Sequence, residues 1–222
     1  MASAVAVPVA PGSWVVIVGG LVALVLVVFT GTWAGSIVTV AHEGGHLVLA
    51  LLSGRHPSGF MVHEDTGGGV TVFRGGWGVS LVFIFLAGYP APSLLGLAGA
   101  HLVLDGKSWS VLWAALVLLG GSLLHARGLF THLVVVLAGV AIGWAAVQGD
   151  ATVQALAAAT LVWWLLLGGV QSLLPLRFAG GESSDPGQLA RCTWIPAVVW
   201  VAGFWAAALA CLWAGGSRLL GV

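Results

Sequence analysis

Residues 38–52, VTVAHEGGHLVLALL, carry three ionisable side chains in the middle of an apolar stretch. His42 and His46 are four residues apart, so on a helix they share one face and can hold one metal ion together. Glu43 follows the first histidine, where its carboxylate can reach a water on that metal. Zinc lowers the pKa of a bound water to about 7, so this H-E-x-x-H arrangement predicts peptide-bond hydrolysis at neutral pH, with Glu43 as the base.

The same residues have a second interpretation, a polar His-Glu-His cluster that holds helices together or relays protons. Ionisable groups at membrane depth are costly and rarely accidental, and this span contains no other ionisable residue, which favours the metal interpretation. Between the histidines, Gly44 and Gly45 each cost a helix around 1 kcal/mol relative to Ala. They either let a substrate backbone come close or let helices pack closely, and both roles are compatible with the sequence.

The composition places this site in a membrane protein. The chain has 222 residues, of which 59% are hydrophobic and 6% charged, more apolar sequence than a soluble core needs. Its surroundings are therefore expected to be the lipid bilayer. Seven Lys and Arg residues balance seven Asp and Glu residues, so no basic footprint predicts a nucleic-acid partner.

Hydropathy predicts an all-α polytopic membrane protein, a single integral-membrane domain over residues 1–222 with about seven transmembrane helices. The predicted spans are 14–33, 36–53, 78–104, 109–125, 129–148, 152–174 and 187–213. The polar segment 54–77 alternates short apolar runs with Gly and predicts a small β-hairpin next to the metal-binding helix 36–53. A strand edge there, in GGGVTVFRGG, is a candidate for binding an extended substrate, with an ordinary connecting loop as the alternative.

The arginines predict the orientation of the chain. With seven spans, one side holds the N-terminus together with Arg55, Arg74, Arg127, Arg177 and Arg191. The other side holds Lys107 and Arg218. The excess of Lys and Arg marks the cytosolic side, so the N-terminus is predicted to be cytosolic. His46 precedes Arg55 by nine residues, about 13 Å of helix, which puts the site toward the cytosol.

A catalytic zinc needs a third protein ligand and an open position. The ligand should approach from the same side as His46, which disfavours His101, Asp105 and Asp150 on the outer side. Asp185 stands at the start of the last predicted helix, 185–213, on the inner side. Because Asp followed by Pro often begins a helix, a capping role is the alternative for Asp185, and one carboxylate could serve both purposes.

Several segments resemble the site-2 proteases, the intramembrane zinc metallopeptidases. AHEGGHLVLALLSG (41–54) resembles their metal-binding helix. SLLP (172–175), followed by Asp185, resembles their Asn-Leu-Leu-Pro…Leu-Asp-Gly stretch, and PAPS (90–93) resembles a Pro-x-x-Asn segment. SSDPGQLARCTWIPAVVW (183–200) is similar to a compact branch, and the chain has no PDZ-like insert.

The resemblance implies a zinc metalloendopeptidase with one Zn²⁺ per chain, bound by His42, His46 and Asp185, with Glu43 as the catalytic base. It implies that the partner is a membrane-protein substrate, cleaved in or near a transmembrane segment.

Two serines depart from the family pattern. Ser93 and Ser172 stand where the family has Asn, which is thought to help position the substrate backbone. Together with Gly44 and Gly45 they are therefore the candidate substrate-positioning residues.

Two other functions fit the composition. A transporter that handles protons or metal ions would need further intramembrane acids along a path and an inverted repeat, and the sequence has neither. A non-catalytic member of the same fold would not need all four of His42, Glu43, His46 and Asp185, which are intact.

Overall fold

A computed structural model describes residues 11–29, 32–64, 69–73, 78–176 and 181–222. This part of the chain is mostly helical, with one small antiparallel hairpin. The helices are α1 (Ser13–Phe29), α2 (Thr32–Leu52), α3 (Val79–Ala87), α4 (Pro90–Leu104), α5 (Ser108–Leu123), α6 (Leu129–Gln148), α7 (Ala151–Gln171), α8 (Asp185–Thr193) and α9 (Ala197–Leu220). The strands are β1 (Pro57–Val62) and β2 (Gly69–Phe73).

The helices confirm an α-helical membrane protein but not the count of seven spans. Among the described residues, four helices are long and apolar enough to cross a membrane, namely α2, α6, α7 and α9. The bent pair α3–α4 would make a fifth. Helices α1 and α5 are apolar but shorter, at 17 and 16 residues. The prediction of a small hairpin between α2 and α3 is confirmed.

Two predicted spans are broken. The third, 78–104, bends by 59° between α3 and α4. The prediction of one uninterrupted last helix over 185–213 is wrong. The structure has two helices there, because α8 ends at Thr193 and α9 begins at Ala197. Trp194 there adopts a left-handed φ of 62°, and Pro196 brings a ring that cannot continue the helix. Asp185 therefore lies on a short helix of its own rather than on the long apolar α9.

Helix α7 forms the centre of the bundle. Its fully buried face, which includes Ala158, Val162 and Leu166, packs against α1, α4 and α9. Glycines let the partners approach: a Cβ built at Gly19 of α1 would lie 3.0 Å from that of Ala159. This packing fixes α4, and through it the bend that lies against the histidine-bearing helix.

The hairpin is hydrogen-bonded to the connection between α5 and α6, and it also packs against α2. Residues of β1 pair with β2 from Pro57↔Phe73 to Val62↔Gly69. On its other edge β1 bonds to the connection between α5 and α6, since Phe60 N–H donates to the His125 carbonyl at 2.9 Å. Both strands contact α2, and the Thr71 hydroxyl of β2 reaches Glu43 on that helix.

Two of the arginines that entered the orientation prediction make side-chain contacts at different places in the fold. Arg127 Nε donates to the Ser58 carbonyl at 2.6 Å, which places it with the hairpin that follows α2. An Arg218 guanidinium nitrogen of α9 lies 2.8 Å from Nδ1 of His101 on α4, and the orientation of the chain in the membrane stays a prediction. The predicted positions of Arg74 and Arg177 lie outside the described residues.

Candidate metal centre

Helix α2 presents both histidines to one point, as their i, i+4 spacing requires. The Nε2 atoms of His42 and His46 are 3.1 Å apart, and the rings meet edge to face with centroids 4.7 Å apart. Nδ1 of His46 lies 2.7 Å from the Ile84 carbonyl of α3. A carbonyl can only accept, so Nδ1 carries the proton, and in the neutral ring Nε2 keeps its lone pair for a metal.

Asp185 brings a carboxylate to the same point from the other end of the chain. Its Oδ2 atom lies 3.2 Å from Nε2 of His42 and 3.2 Å from Nε2 of His46. Burial disfavours the charged form of Asp185, but His46 and His42 beside it outweigh burial and hold the carboxyl pKa below its ordinary value. The ionised carboxylate, which this shift favours, is the form that a metal ligand requires.

The cap of α8 is Ser184, so the capping role considered for Asp185 is wrong. The Ser184 hydroxyl accepts from the Gly187 N–H at 3.4 Å, and Asp185 is the first residue of the helix. Because a neighbour satisfies the helix end, the Asp185 side chain is available to the histidines.

A glycine at the bend between α3 and α4 leaves room for the cluster. A Cβ built at Gly88 would lie 2.6 Å from Asp185 Oδ2 and 2.6 Å from His46 Nε2. Real Cβ atoms essentially never come that close. The backbone at Gly88 thus forms one wall of the centre, and only a residue without a side chain fits there.

Glu43 borders the same cavity as the two histidines and Asp185, and its carboxylate contacts the hairpin. The residue is 2% exposed, and Oε2 accepts a hydrogen bond from the hydroxyl of Thr71 on β2. A Cβ built at Gly69, also on β2, would lie 2.6 Å from Oε1 of Glu43. Both carboxylate oxygens therefore lie close to the backbone or side chains of β2.

The potential metal ligands and Glu43 line a small cavity of about 140 Å³. Besides the histidines, Glu43 and Asp185, its walls include Thr71 and Tyr89. The Tyr89 ring stands edge-on to His42, with centroids 4.6 Å apart. Sequence reasoning missed both. Tyr89 directly precedes the PAPS segment, so its position next to that motif could have indicated it. Nothing in the sequence indicated Thr71.

The four residues predicted to position substrate lie in different places. Gly45 is a packing point, because a Cβ there would lie 2.7 Å from that of Ala91 on α4, while Gly44 has open space beside it. Ser93 is fully buried between α4 and α7, and the Ser172 hydroxyl donates to the Gly169 carbonyl at 2.9 Å. Neither serine lines the cavity, and a substrate role for any of the four stays a prediction.

A comparison of the whole chain with protein families gives a match. The model of the Peptidase M50B-like family matches residues 14–215, nearly the whole chain. The chain belongs to this family. Membership confirms the predicted site-2 protease relationship, and the matched range includes all the residues of the candidate metal centre described above. No curated protein and no solved structure gives a significant match to the chain.

Proposed function

We propose that this M50B-like protein is an intramembrane zinc metalloendopeptidase that hydrolyses peptide bonds in or near transmembrane segments of other membrane proteins. One observation carries the proposal. Two histidines and an aspartate from distant segments converge within 4.8 Å of one another, with a buried glutamate lining the same cavity.

The donor set fits one zinc ion per chain. Two imidazole nitrogens and a carboxylate oxygen are a ligand set of catalytic zinc, which leaves the fourth position for substrate or water. The buried Oδ2 of Asp185 accepts no hydrogen bond from any described residue, although it faces both Nε2 atoms. Electron-rich atoms that face each other at 3.1–3.2 Å repel unless a proton or a metal cation lies between them, and a zinc ion would serve all three atoms at once. When bound, zinc would act as a Lewis acid and make water a nucleophile at neutral pH.

In this proposal Glu43 moves the protons. Its carboxylate takes a proton from the attacking water and delivers it to the leaving amine. Glu43 is one residue from His42, yet its oxygens lie against Thr71 and Gly69 rather than among the three ligand atoms. This placement supports a base rather than a fourth ligand.

The hairpin supports a way to hold the substrate. Proteases generally bind the cleaved segment as an extended strand, and a strand edge supplies main-chain hydrogen bonds. The outer edge of β1 is taken by residues 125–127, whereas β2 borders the cavity. A substrate strand alongside β2 would pass next to Glu43, and the open space at Gly44 would admit its backbone.

The proposal also includes the orientation in the membrane. The chain crosses seven times when the shorter α1 and α5 and the bent α3–α4 pair are each counted as a crossing. The N-terminus and the hairpin side are cytosolic, because the arginine excess lies at that end. The catalytic centre then opens toward the cytosol.

The test compares the wild type with Glu43→Gln, which keeps the size of the side chain and removes its basicity. Each purified protein is reconstituted with zinc and incubated with vesicles that carry a mixture of single-span membrane proteins. Mass spectrometry then identifies new termini. We expect both proteins to hold one zinc, and cleavage in the variant to fall by about 10²–10⁴-fold or more.

Three outcomes would contradict parts of the proposal. If the wild type holds zinc and makes no new termini, the chain keeps the fold without turnover. If the Gln variant cleaves at the wild-type rate, Glu43 is not the base. If the variant loses zinc, Glu43 holds the metal and its assigned role is wrong.

A further inference from the structure

Strand β2 donates a hydrogen bond to the carboxylate of Glu43. The Thr71 hydroxyl donates to Oε2, and the backbone at Gly69 closes on Oε1. Thr71 itself is half-buried and lines the cavity that holds the ligand cluster. The hairpin thus reaches into the centre, although it supplies none of the three potential metal ligands.

A base on a flexible side chain must be held in one orientation to accept a proton efficiently. Glutamate has three rotatable side-chain bonds, and a buried carboxylate needs hydrogen-bond donors in place of water. A carboxylate offers about four lone-pair sites on two oxygens. Thr71 occupies one site on Oε2, which fixes the carboxylate and leaves the remaining sites for the proton that Glu43 accepts.

We propose that Thr71 is a positioning residue that holds Glu43 in its productive orientation, so that the hairpin contributes directly to proton transfer. This role rests on the proposed protease function. It also links the two tasks of β2, because the strand that is expected to align the substrate is the strand that orients the base. A substrate that shifts β2 would shift Glu43 with it.

The contact is tested with Thr71→Val, which keeps the shape and removes the hydroxyl, and Thr71→Ser, which restores the hydroxyl. We expect the Val variant to lose about 10–100-fold in kcat, a loss of the size seen when outer-shell partners in metal sites are mutated and below the whole contribution of a general base, with KM little changed. The Ser variant should recover most of that loss. Thr152→Val is the matched control, since Thr152 is an exposed residue at the start of α7.

Two measurements without turnover accompany the kinetics. Zinc per chain should be equal in the wild type and all three variants, because Thr71 is not a ligand. In metal-free protein, the change in unfolding midpoint caused by Thr71→Val should shrink when Glu43 is already Ala, since the removed hydrogen bond needs both partners.

The outcomes separate this role from the protease function. If the wild type cleaves and Thr71→Val cleaves at the same kcat, the positioning role is wrong and the protease proposal stands. A loss confined to KM, or one that Ser does not restore, also overturns the role. If the wild type does not cleave at all, both proposals fall.

Discussion

Gly88 gives the sharpest test of the metal centre, because its effect is steric and its size follows from the structure. An alanine Cβ at this position would lie 2.6 Å from both Asp185 Oδ2 and His46 Nε2, while ordinary contacts begin at 3.4 Å. The atoms must therefore separate by about 0.8 Å. The backbone is not the obstacle, since Gly88 has helical angles of φ −57° and ψ −71° that alanine adopts freely.

A displacement of about 0.8 Å is large for a metal site, where ligand distances hold to about 0.2 Å. We expect Gly88→Ala to push Asp185 or His46 out of bonding reach and to raise the dissociation constant for zinc by about 100-fold or more. The assay is competition for zinc between the purified protein in detergent and a chelator of known affinity. Thermal unfolding of the metal-free variant shows whether the fold is intact.

The matched control is Gly44→Ala. Gly44 lies between the two histidines, yet a Cβ there meets nothing within 4 Å, so zinc affinity should stay at the wild-type value. If Gly88→Ala binds zinc as tightly as the wild type, Gly88 does not wall the metal centre and the reasoning is refuted. Equal losses in both variants would mean that any change near the histidines weakens binding, which would also refute it.

Two further predictions concern the ligands and the membrane. His46→Ala should lose both zinc and cleavage, because two remaining ligands hold zinc poorly, and metal analysis beside the cleavage assay checks this. Single cysteines at Arg127 and Lys107, with Cys192 and Cys211 replaced by Ala, should react with an impermeant maleimide from opposite sides of the membrane. Labelling from the same side would show that the number of crossings between them is wrong.

The pairing of His42 with His46 was predictable from the sequence, because residues four apart share a face on any α-helix. The same holds for the membrane character, which follows from the apolar composition, and for the hairpin, which follows from the polar, Gly-rich segment 54–77. All three depend on local patterns that tertiary contacts do not change.

The breaks within the predicted spans were harder to predict from the sequence. Hydropathy averages over long windows, so 187–213 looked continuous although Pro196 lies inside it. The break has a functional consequence, since it places Asp185 on α8, apart from α9. Residue chemistry indicated Asp185 as one candidate for the third ligand, and the family resemblance selected it. Only the fold showed that its carboxylate comes within 3.2 Å of both histidines.

The close surroundings of the centre were decided by tertiary structure alone. Gly88 and Thr71 belong to elements far from His42 in the chain, and no spacing rule connects them. Gly88 matters because the α3–α4 bend puts its backbone where a side chain would collide with the ligands. Thr71 matters because β1 is bonded to the α5–α6 connection and β2 lies on α2, against Glu43. Local sequence sets which side chains share a helix face, while long-range packing sets which backbone closes on them.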